Sequence, residues 1–202
     1  MPSIVRTTAA ALMLLGVTAC DDAPSSPASP LPASPLPASS LPASSAAAFV
    51  APPLRLPQVA PGAACPVTVA RQWSGPGKAG RVLGDGPLYP IADYFRGGNE
   101  LELRPEDREP DGTYGKKVRW IGAGYSGPVL VRAGRIDAPG AASATFSYVG
   151  EARDGGHYAD LSRENNDLPA TTTVAGPGCY AYQVDGTTFS ATIVFRAVAS
   201  TG

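Results

Sequence analysis

Few side chains in this sequence are of the types that do chemistry. His157 is its only histidine, so any Ser-His-Asp relay or histidine-held metal must use it. It lies in Asp154-Gly-Gly-His-Tyr-Ala-Asp160, with a carboxylate on each side. No Gly-x-Ser-x-Gly elbow accompanies it, and no zinc, EF-hand or phosphate-loop spacing is present. We therefore read His157 as a solvated loop residue and assign no catalytic residue, no metal and no cofactor. Glu106, Asp107, Glu109 and Asp111 alternate with Arg104 and Arg108. Such a cluster suits a calcium ion, but mixed charge of this kind is by default a solvated loop. Tyr125, Arg132 and Arg135, with Asp137, lie on or beside one expected strand. They are candidates for binding an anionic or sugar ligand. The same charges also serve to keep an exposed strand from pairing with a neighbour.

The thiols say more. There are three cysteines, Cys20, Cys65 and Cys179, and an odd count in an exported chain needs an explanation. Arg6 precedes an apolar run, Thr7 to Val17, that is too short to span a bilayer. Val17-Thr18-Ala19-Cys20 follows and resembles the bacterial lipobox, in which the cysteine takes a diacylglycerol thioether and the peptidase cuts just before it. Residues 1–19 are thus expected to be a lipoprotein signal peptide and Cys20 the lipidation site. Several acyl chains, as a bacterial lipoprotein carries, anchor stably where one would not.

Residues 20–62 read as a disordered linker rich in proline, alanine and serine. Leu31-Pro-Ala-Ser, Leu36-Pro-Ala-Ser and Leu41-Pro-Ala-Ser repeat every five residues. Such sequence buries too little to offset its chain entropy, and its prolines favour polyproline II. Phe49-Val50 and Leu54-Arg55-Leu56 are the residues in it that could begin to pack on a domain.

Residues 63–202 have the pattern of an all-β domain. Short runs rich in β-branched and aromatic residues alternate with glycine and proline signals, and no amphipathic helix stands out. Expected strands open at Cys65, at Lys116 to Ile121, at Pro128 to Asp137 and at Ala144 to Val149. Arg96–Tyr114 and Gly150–Leu168 read as irregular loops. The clearest element is the terminal hairpin, Gly178 to Ala197, with Asp185-Gly186 as a turn dipeptide, a loop running a few residues past Gly186, and alternation resuming at Phe189. Tyr180 enters it just after a glycine turn, where an immunoglobulin-like sandwich places its corner tyrosine. These patterns point to an antiparallel immunoglobulin-like β-sandwich. With Cys20 lipidated and the compartment oxidising, Cys65 and Cys179 are expected to form a disulfide.

Three blocks carry a resemblance: Gly86-Pro-Leu-Tyr-Pro90, Val118 to Asp137, and Pro177 to Arg196. Together they resemble an uncharacterised group of bacterial exported proteins and lipoproteins. That resemblance implies an immunoglobulin-like sandwich and brings no activity.

The formal net charge of -1 gives no electrostatic footprint for nucleic acid. The expected protein is a lipid-anchored component of the bacterial cell envelope, held to the membrane at Cys20 with its domain outside the cytoplasm. The expected role is a non-catalytic binding module for an envelope protein or a cell-wall polymer. The rival readings are a small cell-wall-directed hydrolase or its inhibitor, and a ligand-sensing lipoprotein.

Overall fold

The computed structural model describes residues 49–201. The signal peptide, Cys20 and the Leu-Pro-Ala-Ser repeats lie outside the described residues. The fold is all-β. Its strands are β1 (Arg71–Gln72), β2 (Arg81–Val82), β3 (Leu88–Pro90), β4 (Glu100–Leu103), β5 (Tyr114–Lys117), β6 (Trp120–Gly122) and β7 (Gly127–Arg135), followed by β8 (Ala142–Phe146), β9 (Glu151–Arg153), β10 (Gly156–Leu161), β11 (Asn166–Leu168), β12 (Ala170–Val174), β13 (Gly178–Gly186) and β14 (Ser190–Ala199). Two single-turn 3-10 helices, Ala92–Tyr94 and Pro105–Asp107, sit among the loops.

A six-stranded sheet runs in the order β4-β14-β13-β7-β10-β9. Two three-stranded sheets, β5-β12-β8 and β11-β6-β3, supply further layers, and β1-β2 is a small ribbon. All pairings are antiparallel except β14 with β4, which is parallel. The fold is therefore not purely antiparallel: the chain reaches β4 before the hairpin exists, and β14 closes beside it in the same direction.

Alternation along β13 explains the layering, because successive side chains leave opposite faces of a strand. Tyr180, Tyr182 and Val184 point into the main core with Val129 and Val131 from β7 and with Ile193 and Phe195 from β14. Trp120, Phe146, Ala170 and Val174 meet them from the smaller sheets. The Trp120 and Tyr182 rings lie 5.0 Å apart at 70°, edge to face, the arrangement that aligns ring edges with ring faces. The Tyr182 hydroxyl is inside this core, paired with Thr172 at 2.7 Å, and burial pushes its pKa up.

Tyr180 donates its hydroxyl proton to the Gly176 carbonyl at 2.8 Å, four residues upstream. This locks the entry of β13 to the preceding bend. Tyr180→Phe should cost about 1–2 kcal/mol, since a buried carbonyl loses its donor while the packing stays. Urea midpoints compared at constant m-value read this directly; an unchanged midpoint would show the bond to be idle.

The other face of the six-stranded sheet carries Cys179, Ala181, Gln183 and Asp185 from β13, with Val194 and Ile136 beside them. It is covered by residues 49–68, a strap with almost no ladder pairing. Composition reads residues 49–62 as the end of the linker, yet here they lie against the sheet. Phe49 meets Tyr158, Leu56 and Val59 join Ile136 and Ala181, and Val59 N–H donates to the Ile136 carbonyl at 2.8 Å. Prolines fix the strap's backbone, so these few apolar side chains suffice to hold it. A Cβ on Gly134 beneath it would stand 2.5 Å from Leu56 Cδ1, so a larger residue there would displace that side chain.

Cys65 and Cys179 are bonded, with Cα atoms 5.6 Å apart. Cys65 does not open a strand, however. Residues 65–70 run along the sheet, and Thr68 exchanges two hydrogen bonds with Val194, one through its hydroxyl. The stretches whose composition reads as loop also contain strands: β4 and the start of β5 lie in Arg96–Tyr114, and β9, β10 and β11 lie in Gly150–Leu168.

Candidate functional site

The residues singled out from sequence do not converge. Arg132 and Arg135 are three apart on β7, so they leave opposite faces of the sheet. Arg132 lies under the strap; Arg135 stacks over the Tyr180 ring and bonds Asp137 at 2.7 Å and the Pro177 carbonyl at 2.9 Å. Burial raises the Asp137 pKa, but the Arg135 hydrogen bond and the Cys179 backbone outweigh it and hold the carboxyl below its usual range. Tyr125 packs edge-on against Phe189; its hydroxyl donates to the Pro128 carbonyl at 2.7 Å and accepts from Thr187 N–H at 3.1 Å. Each of the three is thus tied into the fold's own structure.

The other chemical candidates are likewise engaged. His157 is buried on β10 rather than solvated. Its Nε2 bonds the Val149 carbonyl at 2.8 Å and its ring stands edge-on to Phe146. In the acidic loop, burial raises the Asp107 pKa, but the Lys116 hydrogen bond and Arg104 N–H bring it below its usual range. Asp111 accepts from both the hydroxyl and the N–H of Thr113. Among the described residues no group of three or more His, Cys, Asp or Glu side chains is placed to hold a metal ion.

A surface that no sequence motif marks is the concavity between β8 and the β9–β10 hairpin, about 760 Å³. Both of its walls are sheet edges. β8 ends the three-stranded order β5-β12-β8, and β9 ends the six-stranded sheet. Ser143, Thr145 and Phe146 line one wall, and Glu151, Arg153 and Asp154 the other. Tyr148, 86% exposed, and Val149 sit on the loop joining the two walls. An open groove of this make-up can take a polar chain on its charged wall while an aromatic ring covers an apolar part. The signal available in the sequence is Ser147-Tyr148-Val149-Gly150, which places large apolar side chains in a turn.

The second polar assembly lies beneath the strap. Asp185 is fully buried and accepts from Arg132 Nη2 at 2.6 Å, from Gln183 Nε2 at 3.0 and 3.1 Å, and from the Ser190 hydroxyl at 2.7 Å. Arg132 and Gln183 then reach outward to the strap backbone. The dipeptide Asp185-Gly186 predicts the start of the hairpin loop. β13 instead continues through both residues, and the turn is Thr187-Thr188, within the expected loop. A Cβ on Gly186 would stand 2.2 Å from the Phe189 ring, so a larger residue there would have to shift that ring.

No family model, no curated protein and no solved structure matches this chain. What the geometry defines is a disulfide-clamped all-β domain with an open groove between two sheet edges.

Proposed function

We propose that this is a lipid-anchored protein of the bacterial cell envelope whose domain is a non-catalytic binding module of the immunoglobulin-like kind, related to the uncharacterised exported lipoproteins that it resembles. The observation that carries the binding role is the groove between β8 and β9–β10, with Tyr148 exposed on the loop that joins its walls. Its mixed polar and aromatic lining suits an extended envelope protein segment or a glycan strand. The sequence from Arg6 to Cys20 supports the anchor.

Strand order supports the immunoglobulin-like reading. The sequence β14-β13-β7-β10-β9 follows the G-F-C-C′-C″ order of a variable-type sheet, and β5-β12-β8 follows B-E-D. The Tyr180 bond to Gly176 is of the corner type. Two departures define a variant. β8 precedes β9 and β10 in the chain, where the variable pattern has them in the reverse order, and the disulfide joins the F-like strand to the strap instead of to a B strand.

The test is crosslinking capture of the protein from its own envelope, run beside peptidoglycan sedimentation. Tyr148→Ala should reduce recovery of the partner or wall polymer about five- to thirty-fold, as loss of an interface aromatic does, with an unaltered melting curve. Cys20→Ala should leave the membrane fraction or remain unprocessed. Equal recovery with Tyr148→Ala would remove the groove as the binding site; wild-type fractionation of Cys20→Ala would remove the lipid anchor.

A further inference from the structure

The contacts beneath the strap are of an unusual kind: side chains of the sheet bond the strap's backbone. Gln183 reads it in both directions, donating from Nε2 to the Pro53 carbonyl at 3.1 Å and accepting at Oε1 from Arg55 N–H at 2.6 Å. Arg132 Nη2 donates to the Pro52 carbonyl at 2.7 Å, and Arg153 Nη2 to the Phe49 carbonyl at 3.4 Å. Arg132 and Gln183 are themselves fixed from behind by the buried Asp185 carboxylate. Meanwhile Pro53, Leu54 and Arg55 point their side chains to solvent. This is how a protein holds an extended, proline-containing peptide: main-chain groups supply the bonds, and proline lowers the entropy cost of the extended form.

We propose that this sheet face is a receptor site for an extended proline-containing segment, filled in cis by residues 49–59, and that in an assembled state its occupant is the strap of a second copy of this chain. Two observations choose that occupant. The site needs carbonyls at two successive residues and an N–H two residues after the second, which Pro52-Pro53-Leu54-Arg55 provides. A built-in hinge also follows residues 49–59 within the strap. Between the Val59 bond to Ile136 and the Cys65 disulfide, residues 60–64 are all exposed, and their backbone bond is a local turn, Ala63 N–H to the Ala60 carbonyl. Gly62 in that turn has φ +79°, and a Cβ on it would meet nothing within 4 Å. Exchange at this hinge moves residues 49–59 to a neighbour, remakes the same bonds there and leaves the disulfide intact, the low-cost route to a dimer.

The test uses the full chain and a labelled synthetic peptide of residues 49–59. A chain carrying Arg55→Pro loses the N–H its own strap offers, so its site should take the peptide at least about tenfold more tightly than wild type, whose strap competes at a high effective concentration. A peptide with proline in place of Arg55 should not bind, and it probes the site without altering the protein. If the two peptides bind alike, or neither binds the Arg55→Pro chain, the receptor site is overturned. The occupant is tested by mixing two differently tagged wild-type chains. Mixed species should form on incubation and be dissolved by excess wild-type peptide but not by the proline peptide. Tagged chains that stay separate, or mixed species indifferent to the peptide, would overturn the second copy as occupant even where the peptide binds.

Discussion

Replacing both Cys65 and Cys179 by alanine should lower the stability of the domain by about 4–5 kcal/mol, the loss expected when a cross-link closing a loop of this size is removed from the unfolded chain. The two residues are 114 apart in sequence, so the bond restricts most of the domain while unfolded. In the folded state it does something more local. It fixes the point where the strap meets β13, beside Ala181 and Val194. Alanine is the right replacement because Cys179 is 3% exposed and serine would bury an unpaired hydroxyl. Guanidinium or urea unfolding of oxidised wild type, reduced wild type and the double variant gives the comparison. Reduced wild type and the double variant should fall together, far below the oxidised protein. A double variant within about 1 kcal/mol of oxidised wild type would show that the fold does not depend on the link, and that the chain-entropy account is wrong here.

The same bond sets what the strap can do. Because the hinge at residues 60–64 precedes Cys65, detaching residues 49–59 leaves Thr68 and the rest of the chain seated on β14. The fold therefore separates two loads. Residues 65–199 carry the core and the disulfide, whereas residues 49–59 are held by four side-chain-to-backbone hydrogen bonds, one backbone bond and a few apolar contacts. A segment held in this way opens at lower free energy than the sheet that it covers.

The parts of the fold that are legible in the sequence are those where local pattern and tertiary role agree. Tyr180, Tyr182 and Val184 alternate, and so do Ile193 and Phe195; their burial follows from the period of two alone. The Cys65–Cys179 pairing is legible once Cys20 is set aside as the expected lipidation site. Sequence and structure part where a residue's role is set by a distant partner. Asp185-Gly186 is a good turn dipeptide in isolation, but Asp185 is claimed by Arg132, 53 positions away, and the strand runs on through it. His157 reads as a loop residue because it is polar. Yet His157, Ala159 and Leu161 alternate inward on β10, a signal masked by the glycines on its N-terminal side. The strap looks like linker because proline and alanine dominate it; what orders it is a set of donors and acceptors on other strands, invisible to composition. The groove, too, is made by two sheet edges whose approach no local pattern encodes.

The Arg132–Asp185 pair offers the second large effect, and its size depends on which partner is removed. Asp185→Ala should cost about 3–5 kcal/mol, because it leaves a buried guanidinium without its counter-charge and strips Gln183 and Ser190 of their shared acceptor. Arg132→Met should cost less. Asp185 keeps Gln183 and Ser190 as donors, the methionine fills much of the space, and Arg132 Nε, which is buried without a hydrogen-bond partner among the described residues, ceases to be a liability. The double variant Arg132→Met with Asp185→Leu should be more stable than Asp185→Ala, since no charge then remains buried, and apolar replacements of buried pairs are often neutral or better. With the single variant Asp185→Leu completing the cycle, the urea midpoints should not add: the coupling between the sites should reach at least about 1 kcal/mol. Additive losses would mean that the pair is wet enough to be worth little. Strap binding separates the two roles. The double variant should recover stability without recovering capture of the residue 49–59 peptide, because leucine at position 185 cannot hold Gln183 in position to read Pro53 and Arg55.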